Sequence, residues 1–263
     1  MGHIKVRGII LRLVNFKDYD RYLSILTQDF GVLSVFAKGI RRSTNRLGSR
    51  CQLFSFADFE LFESKGRYSI DGVETVSSFS KLQGDLLRLS AASQLAEIIL
   101  DNANEQQGSD QLYALFVRAC YELDLGRKDP FLITWAAEMK LMNLLGFQPQ
   151  LAECRSCESP IEEDGEVYFD YHNAAVYCRR HGLVKFEEFR SNTAKISLAL
   201  LRALRFLADC PLERSFSFDA APELIEELGM FTLRFVEARL DKRYDKFSFF
   251  RDFGLPPKEP SAP

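Results

Sequence analysis

The chain has 263 residues, of which 46% are hydrophobic and 27% charged, a globular composition that excludes wholesale disorder. Its formal net charge of −3 hides a segregation, because residues 1–80 carry 12 Lys and Arg against 8 Asp and Glu. A basic front on an acidic body calls for an anionic partner at the front, and no apolar run nears the roughly 20 residues that span a bilayer, which argues against a membrane partner.

The first 80 residues read as five short β segments. His3–Asn15 holds alternating and β-branched positions, and Arg21–Thr27 and Val32–Ala37 flank a turn signal at Asp29-Phe30-Gly31. Gln52–Glu63 alternates aromatic and polar groups at period two, and Arg67–Val76 follows a Lys65-Gly66 turn. Five strands without an intervening helix suit a Greek-key barrel of the OB type, with an SH3-like barrel as the alternative.

Beyond Leu82 the period becomes helical. Leu86, Leu89, Ala92, Ala96 and Ile99 form one apolar stripe, and Leu112, Leu115, Phe116, Ala119 and Leu123 a second. Asp129-Pro130 opens a third helix through Trp135 and Met142, which Gly146 stops. Helical spacing returns at Ile196–Leu207 and again from Leu224 to Phe235. The expected fold class is therefore α+β. An OB-type DNA-binding domain spans 1–80 and a helical domain 81–255, the latter with a metal-binding insertion at 150–182; a disordered, proline-rich tail follows at 256–263.

Charge points to the partner of the barrel. No acidic residue lies between Asp29 and Asp58, yet Lys38, Arg41, Arg42, Arg46 and Arg50 all fall there. Most of them sit on a polar, glycine-containing stretch between two expected strands. Like charges this close repel unless an anion compensates them, and nucleic-acid phosphate is the obvious one. Lys5, Arg7, Arg12 and Arg21 extend the patch if they share its face. The competing reading is a solvated surface loop. Phe16, Tyr19, Tyr22 and Phe36 could stack on bases, but each reads first as core.

Cys154-x2-Cys157 and Cys178-x2-His181 form two knuckles with the spacing of a zinc ribbon. Between them Glu166–Asp170 and Ala174–Tyr177 can pair as a hairpin around His172-Asn173, holding the knuckles face to face. Four protein ligands leave no open position, so the expected Zn²⁺ is structural. A redox CxxC is disfavoured because Pro160 and acidic residues follow it, where a helix should begin. The remaining cysteines, Cys51, Cys120 and Cys210, show no pairing pattern and read as free thiols, which makes the cytoplasm the expected compartment.

Phosphate-binding glycine loops, the Gly-x-Ser-x-Gly nucleophile motif and His-Glu-x-x-His are all missing, so the reading is non-enzymatic. At this point the layout resembles the RecO family of bacterial recombination mediators. Arg7-Gly8-Ile9-Ile10-Leu11, Tyr22-Leu23-Ser24-Ile25-Leu26-Thr27, Phe30-Gly31 and Ala37-Lys38-Gly39-Ile40-Arg41-Arg42 look like its OB domain. Leu144-Leu145-Gly146-Phe147-Gln148-Pro149 ahead of Cys154 looks like its junction between helix and zinc site, and Lys242–Ser248 like its terminal basic element.

The resemblance implies binding of single- and double-stranded DNA, annealing of complementary strands, and no nucleotide hydrolysis. It also implies work with RecR to load RecA onto strands coated by single-stranded-DNA-binding protein, whose C-terminal tail docks on the helical domain. In that family the zinc ligands are commonly four cysteines; here the last is His181. A protein-interaction scaffold with incidental DNA contact is the alternative function.

Overall fold

The computed structural model describes residues 2–103, 110–161 and 165–247. The tail expected from Pro256 onward lies outside them. The chain packs as two compact units. One runs up to Pro130 and takes in the described residues from Asp245; the other is Phe131–Tyr244.

The first unit is built on a closed five-stranded barrel of OB type. Its strands β1 (Gly2–Phe16), β2 (Asp20–Thr27), β3 (Gly31–Ala37), β4 (Phe56–Ser64) and β5 (Arg67–Ser77) close in the order β1-β2-β3-β5-β4. The long β1 closes the ring by pairing β4 along its first half and β2 along its second. A bulge between Ile10 and Arg12 makes this possible by resetting the pleat, so the inward positions change from even to odd numbers. Gly8 sits where the sheets cross, and a Cβ there would come within 2.6 Å of Ile25 and 2.8 Å of the Leu26 carbonyl. The interior is filled by Val6, Ile10, Leu23, Ile25, Val35, Phe59 and Leu61, with Ile40 and Cys51 reaching in from the β3–β4 loop. Lys65 and Gly66 both take positive φ, as a two-residue hairpin turn of type I′ requires.

Three helices complete this unit: α1 (Ser80–Gly84), α2 (Leu86–Asn102) and α3 (Asp110–Leu125). Asp85 caps α2 by accepting from the backbone N–H of Leu87 and Arg88. The short α1 is capped from outside, by Asp124 of α3, which accepts from Lys81 and Leu82. At the far end of the chain, Phe247 is fully buried in this same unit. Its backbone N–H donates to Gln94 Oε1 at 2.8 Å, and Lys246 pairs with Glu97 at 3.1 Å.

The second unit is organised around α4 (Pro130–Leu144), in which every residue from Leu132 to Met142 is buried. Its Lys140 is satisfied by donating to the carbonyls of Leu207 and Cys210, so the ammonium caps the C-terminus of α6 (Leu198–Asp209). A three-stranded sheet carries β6 (Val167–Asp170) at its centre, flanked by β7 (Ala175–Cys178) and β8 (Thr193–Ile196). The helix α5 (Arg179–Glu188) joins β7 to β8, and α7 (Pro222–Leu240) closes the unit. Gly229 of α7 lies against the indole of Trp135, with a Cβ reaching 2.6 Å from its Nε1. Gly229→Val should therefore cost about 1–3 kcal/mol through overpacking. Thermal unfolding followed by the fluorescence of Trp135, the only tryptophan, reads this directly.

Candidate nucleic-acid interface and metal cluster

The basic stretch is a built loop. Gly39, at φ +63°, lets the chain leave β3 and donates its N–H to Asp20 Oδ1 at 2.7 Å. Successive turns follow, with Arg42 N–H donating to Gly39 O, Asn45 N–H to Arg42 O, and Cys51 N–H to Leu47 O. Asn45 locks the centre by donating to Gly39 O through Nδ2 and accepting the Leu47 N–H at Oδ1. Gly48 is required where the loop folds on itself, since a Cβ would lie 2.6 Å from the Ile40 carbonyl. Buried Ile40 and Cys51 anchor both ends in the barrel core. Burial pushes the Cys51 thiol up to about 12, which leaves it an unreactive packing group.

On this frame all five loop cations are exposed, but they do not face one place. Arg41, Arg42 and Arg46 line a cleft of about 550 Å³ together with Arg21. Lys38 and Arg42 line a neighbouring cleft of about 450 Å³ with Lys17 and Tyr19 from the β1–β2 turn. Arg41 is steadied by donating to the Asp18 carbonyl at 3.1 Å, and Arg42 lies over the Tyr19 ring at 5.1 Å. Arg50 points elsewhere. It donates to the Val73 carbonyl at 3.1 Å and lines a smaller cleft with Asp58, Glu60 and Glu74.

The other N-terminal cations divide in the same way. Arg7 forks onto Asp58 with two 2.8 Å hydrogen bonds, holding that carboxyl below the usual range, and Lys5 lies 3.9 Å from Glu74. Arg21, which donates to Asn15 Oδ1, joins the loop's cleft instead. Phe16, Tyr19, Tyr22 and Phe36 also depart from the core reading: the first three are exposed and Phe36 is half-buried, on the outside of the barrel.

The second cluster forms where the sheet of the second unit meets two turns. β6 and β7 pair antiparallel from Val167↔Cys178 to Asp170↔Ala175. Asp170 closes their turn by accepting from the backbone of His172 and Asn173. This hairpin brings Cys178 to the start of α5, one turn ahead of His181. The other knuckle is held on β7, because Gln150 N–H donates to Ala174 O and Arg155 N–H to Val176 O. Arg205 of α6 adds a hydrogen bond of 2.9 Å to the Leu151 carbonyl. Gly182, beside His181, lies flat on Tyr168, with no room for a Cβ.

The ligand atoms of Cys154, Cys157, Cys178 and His181 all lie within 4.8 Å of one another. Cys157 Sγ is 4.0 Å from Cys178 Sγ, and His181 Nδ1 is 3.7 Å from Cys154 Sγ and 3.4 Å from Cys178 Sγ. Tetrahedral zinc, with bonds of about 2.3 Å to sulfur and about 2.0 Å to nitrogen, sets ligand edges of roughly 3.5–3.8 Å. The four residues thus have the separation and chemistry to hold a metal ion. Hydrogen bonds from Ser159 draw the Cys157 thiol down to about 6, while burial pushes that of Cys178 up. Neither His172, in the hairpin turn, nor any other His or acid belongs to this cluster among the described residues.

Comparison with known proteins covers nearly the whole chain. Residues 1–79 match a family model described as "Recombination protein O N terminal", and residues 83–246 one described as "Recombination protein O C terminal". A protein of Anaeromyxobacter sp. (strain K) named "DNA repair protein RecO" is 30% identical, over 97% of this chain and 98% of its own length. Proteins of the same name from Acetivibrio thermocellus and Listeria monocytogenes are 29% and 27% identical, over 95% and 93% of this chain.

Proposed function

This chain belongs to the RecO family of DNA repair proteins, and from that premise we propose that it is a non-enzymatic recombination mediator acting through its N-terminal barrel. The carrying observation is the acid-free loop whose turns present Arg41, Arg42 and Arg46 to one cleft and Lys38 to the next. Cations fixed in this way neutralise backbone phosphates without reading bases, which suits single- and double-stranded DNA alike. Screening two backbones at once lets complementary strands approach, and base pairing does the rest. Arg50, engaged among three carboxylates, contributes less than the other four.

In this reading residues 1–80 bind DNA and residues 81–255 are the partner-docking half. The partners are RecR, the C-terminal tail of single-stranded-DNA-binding protein and, indirectly, RecA. Cys154, Cys157, Cys178 and His181 hold a structural Zn²⁺ that ties the insertion at 150–182 together. With four protein ligands the ion serves packing alone. The protein works in the bacterial cytoplasm, at the nucleoid; no helix among the described residues is long and apolar enough to cross a membrane.

The test is annealing of complementary strands coated with the cognate single-stranded-DNA-binding protein, without nucleotide. Acceleration is expected. Failure to accelerate, together with DNA binding that is insensitive to salt, would instead favour a protein-interaction scaffold.

A further inference from the structure

We infer that Cys210 is a site of modification by hydrogen peroxide, its sulfenic acid being captured by the Lys140 amine so that a sulfur–nitrogen bond joins α4 to α6. Lys140 lies in the fully buried stretch of α4, with only 7% of its surface exposed. An ammonium in such a place has to be fully satisfied. Its three N–H donors meet three acceptors, none of them a carboxylate: Leu207 O at 2.8 Å, Cys210 O at 2.5 Å and Cys210 Sγ at 3.7 Å. The two carbonyls account for the helix cap. The third partner sets a nitrogen against a sulfur.

The other five thiols are placed differently. Cys51 and Cys120 are buried, and burial pushes both thiols up, which leaves them unreactive. Cys154, Cys157 and Cys178 belong to the metal cluster. Cys210 alone lies outside that cluster and is only half-buried. It ends α6 at φ −66° and ψ 146°, ahead of Pro211, with its own N–H bonded to the Phe206 carbonyl. A half-buried thiol is open to a molecule as small as hydrogen peroxide.

The chemistry takes two steps. The Cys210 sulfur attacks one peroxide oxygen, the O–O bond breaks, and one water leaves; the sulfur is oxidised by two electrons to sulfenic acid and the peroxide is reduced. Sulfenic acids condense with a thiol or a nitrogen. Among the described residues Cys210 Sγ meets the Lys140 nitrogen and no thiol. Lys140 gives up a proton to solvent and attacks the sulfur. The S–N bond forms, the S–O bond breaks, and the departing oxygen leaves as a second water with protons from the amine and solvent. In sum, thiol, ammonium and peroxide become a sulfenamide, two waters and one proton. The 3.7 Å separation is close to the roughly 3–3.5 Å of a near-attack pair, and the flexible lysine stem closes the rest. The product staples residues 70 positions apart and removes the positive charge from the end of α6.

The test uses the full chain with its metal bound, treated with equimolar hydrogen peroxide, alkylated and digested with trypsin. The peptide Phe206–Arg214 should be recovered joined to the peptide that contains Lys140, uncleaved at that lysine, with Cys154 alkylated. The intact mass should fall by about 2 Da, and dithiothreitol should restore both mass and peptides. A disulfide within the metal cluster lowers the mass equally, so the peptide map decides. Cys210→Ser, which leaves the lysine a hydroxyl partner, should abolish the joined species. In Lys140→Gln, Cys210 should go on to sulfinic acid. If that variant does not fold, the map of the unaltered protein decides alone. Recovery of Cys210 unmodified, as sulfinic acid or in a disulfide, without the joined peptides, would overturn the inference. A joined species that persists in Lys140→Gln would overturn it as well.

Discussion

Arg41→Glu combined with Arg42→Glu should lower DNA affinity by about a hundredfold near 0.1 M salt, since each arginine makes a charge-assisted phosphate contact and the reversed charge repels. The diagnostic result is the salt dependence. Each phosphate neutralised contributes about 0.9 to the slope of log affinity against log salt on duplex DNA and about 0.7 on a single strand. Losing two contacts should flatten the slope by about 1.8 and 1.4 respectively. Arg50→Glu serves as the internal comparison, because that guanidinium donates to the Val73 carbonyl in a cleft lined by carboxylates and should move the slope little. The substitutions are at exposed positions, and the turns that shape the loop are made by Gly39, Asn45 and Gly48, so the barrel should unfold at its normal temperature. An unchanged slope would remove the loop from the DNA interface.

Cys154→Ser should yield a protein with less than about a tenth of an equivalent of zinc, where the unaltered chain should carry one per polypeptide. Structural zinc sites have apparent binding free energies of about 10–16 kcal/mol at neutral pH, and a serine hydroxyl is a poor substitute for thiolate. Cys154 is the one fully buried ligand, and its backbone N–H and carbonyl both serve the turn, bonding Ser159 O and Glu158 N–H. Its loss should release the knuckle from β7 and raise amide exchange across β6, β7 and β8. The barrel, in the other compact unit, should keep its protection. His181→Cys, by contrast, should retain the metal, because a fourth thiolate suits the same tetrahedral site. Equal zinc content in the Cys154→Ser protein would exclude these residues as the ligands.

Periodicity and turn chemistry made most of the fold legible. The five strands, the hairpin around His172-Asn173 and the long helices stand within a few residues of their expected places. What the sequence hid has physical causes. β4 begins at Phe56 rather than Gln52 because Phe54 takes positive φ and donates its N–H to the Ile10 carbonyl, while Ser55 O accepts the Ile10 N–H, so residues 52–55 are a corner. α5 carries five charges and a glycine in ten residues and shows no apolar stripe, while α1 exists only because Asp124 caps it. Helical spacing in the sequence starts at Ile196, but that residue ends β8 and Ser197 caps the helix instead.

At the site, spacing alone found the four metal-cluster residues, because both knuckles are local. It could not say that Arg50 faces acids, or that Phe16, Tyr22 and Phe36 point outward. The first depends on β5, and the outward turn of Phe16 on a bulge that reverses the alternation of β1.

The burial of Phe247 carries a consequence for how the molecule is made. Its pocket belongs to the unit that begins at the N-terminus, yet 114 residues of the other unit intervene before the chain returns at Asp245. During synthesis the barrel can close as soon as β5 has left the ribosome, but Phe247 arrives only after the whole second unit. A ribosome that stalls beyond Pro130 therefore leaves the first unit without this buried aromatic side chain. Only a chain translated through Phe247 places that side chain in the first unit.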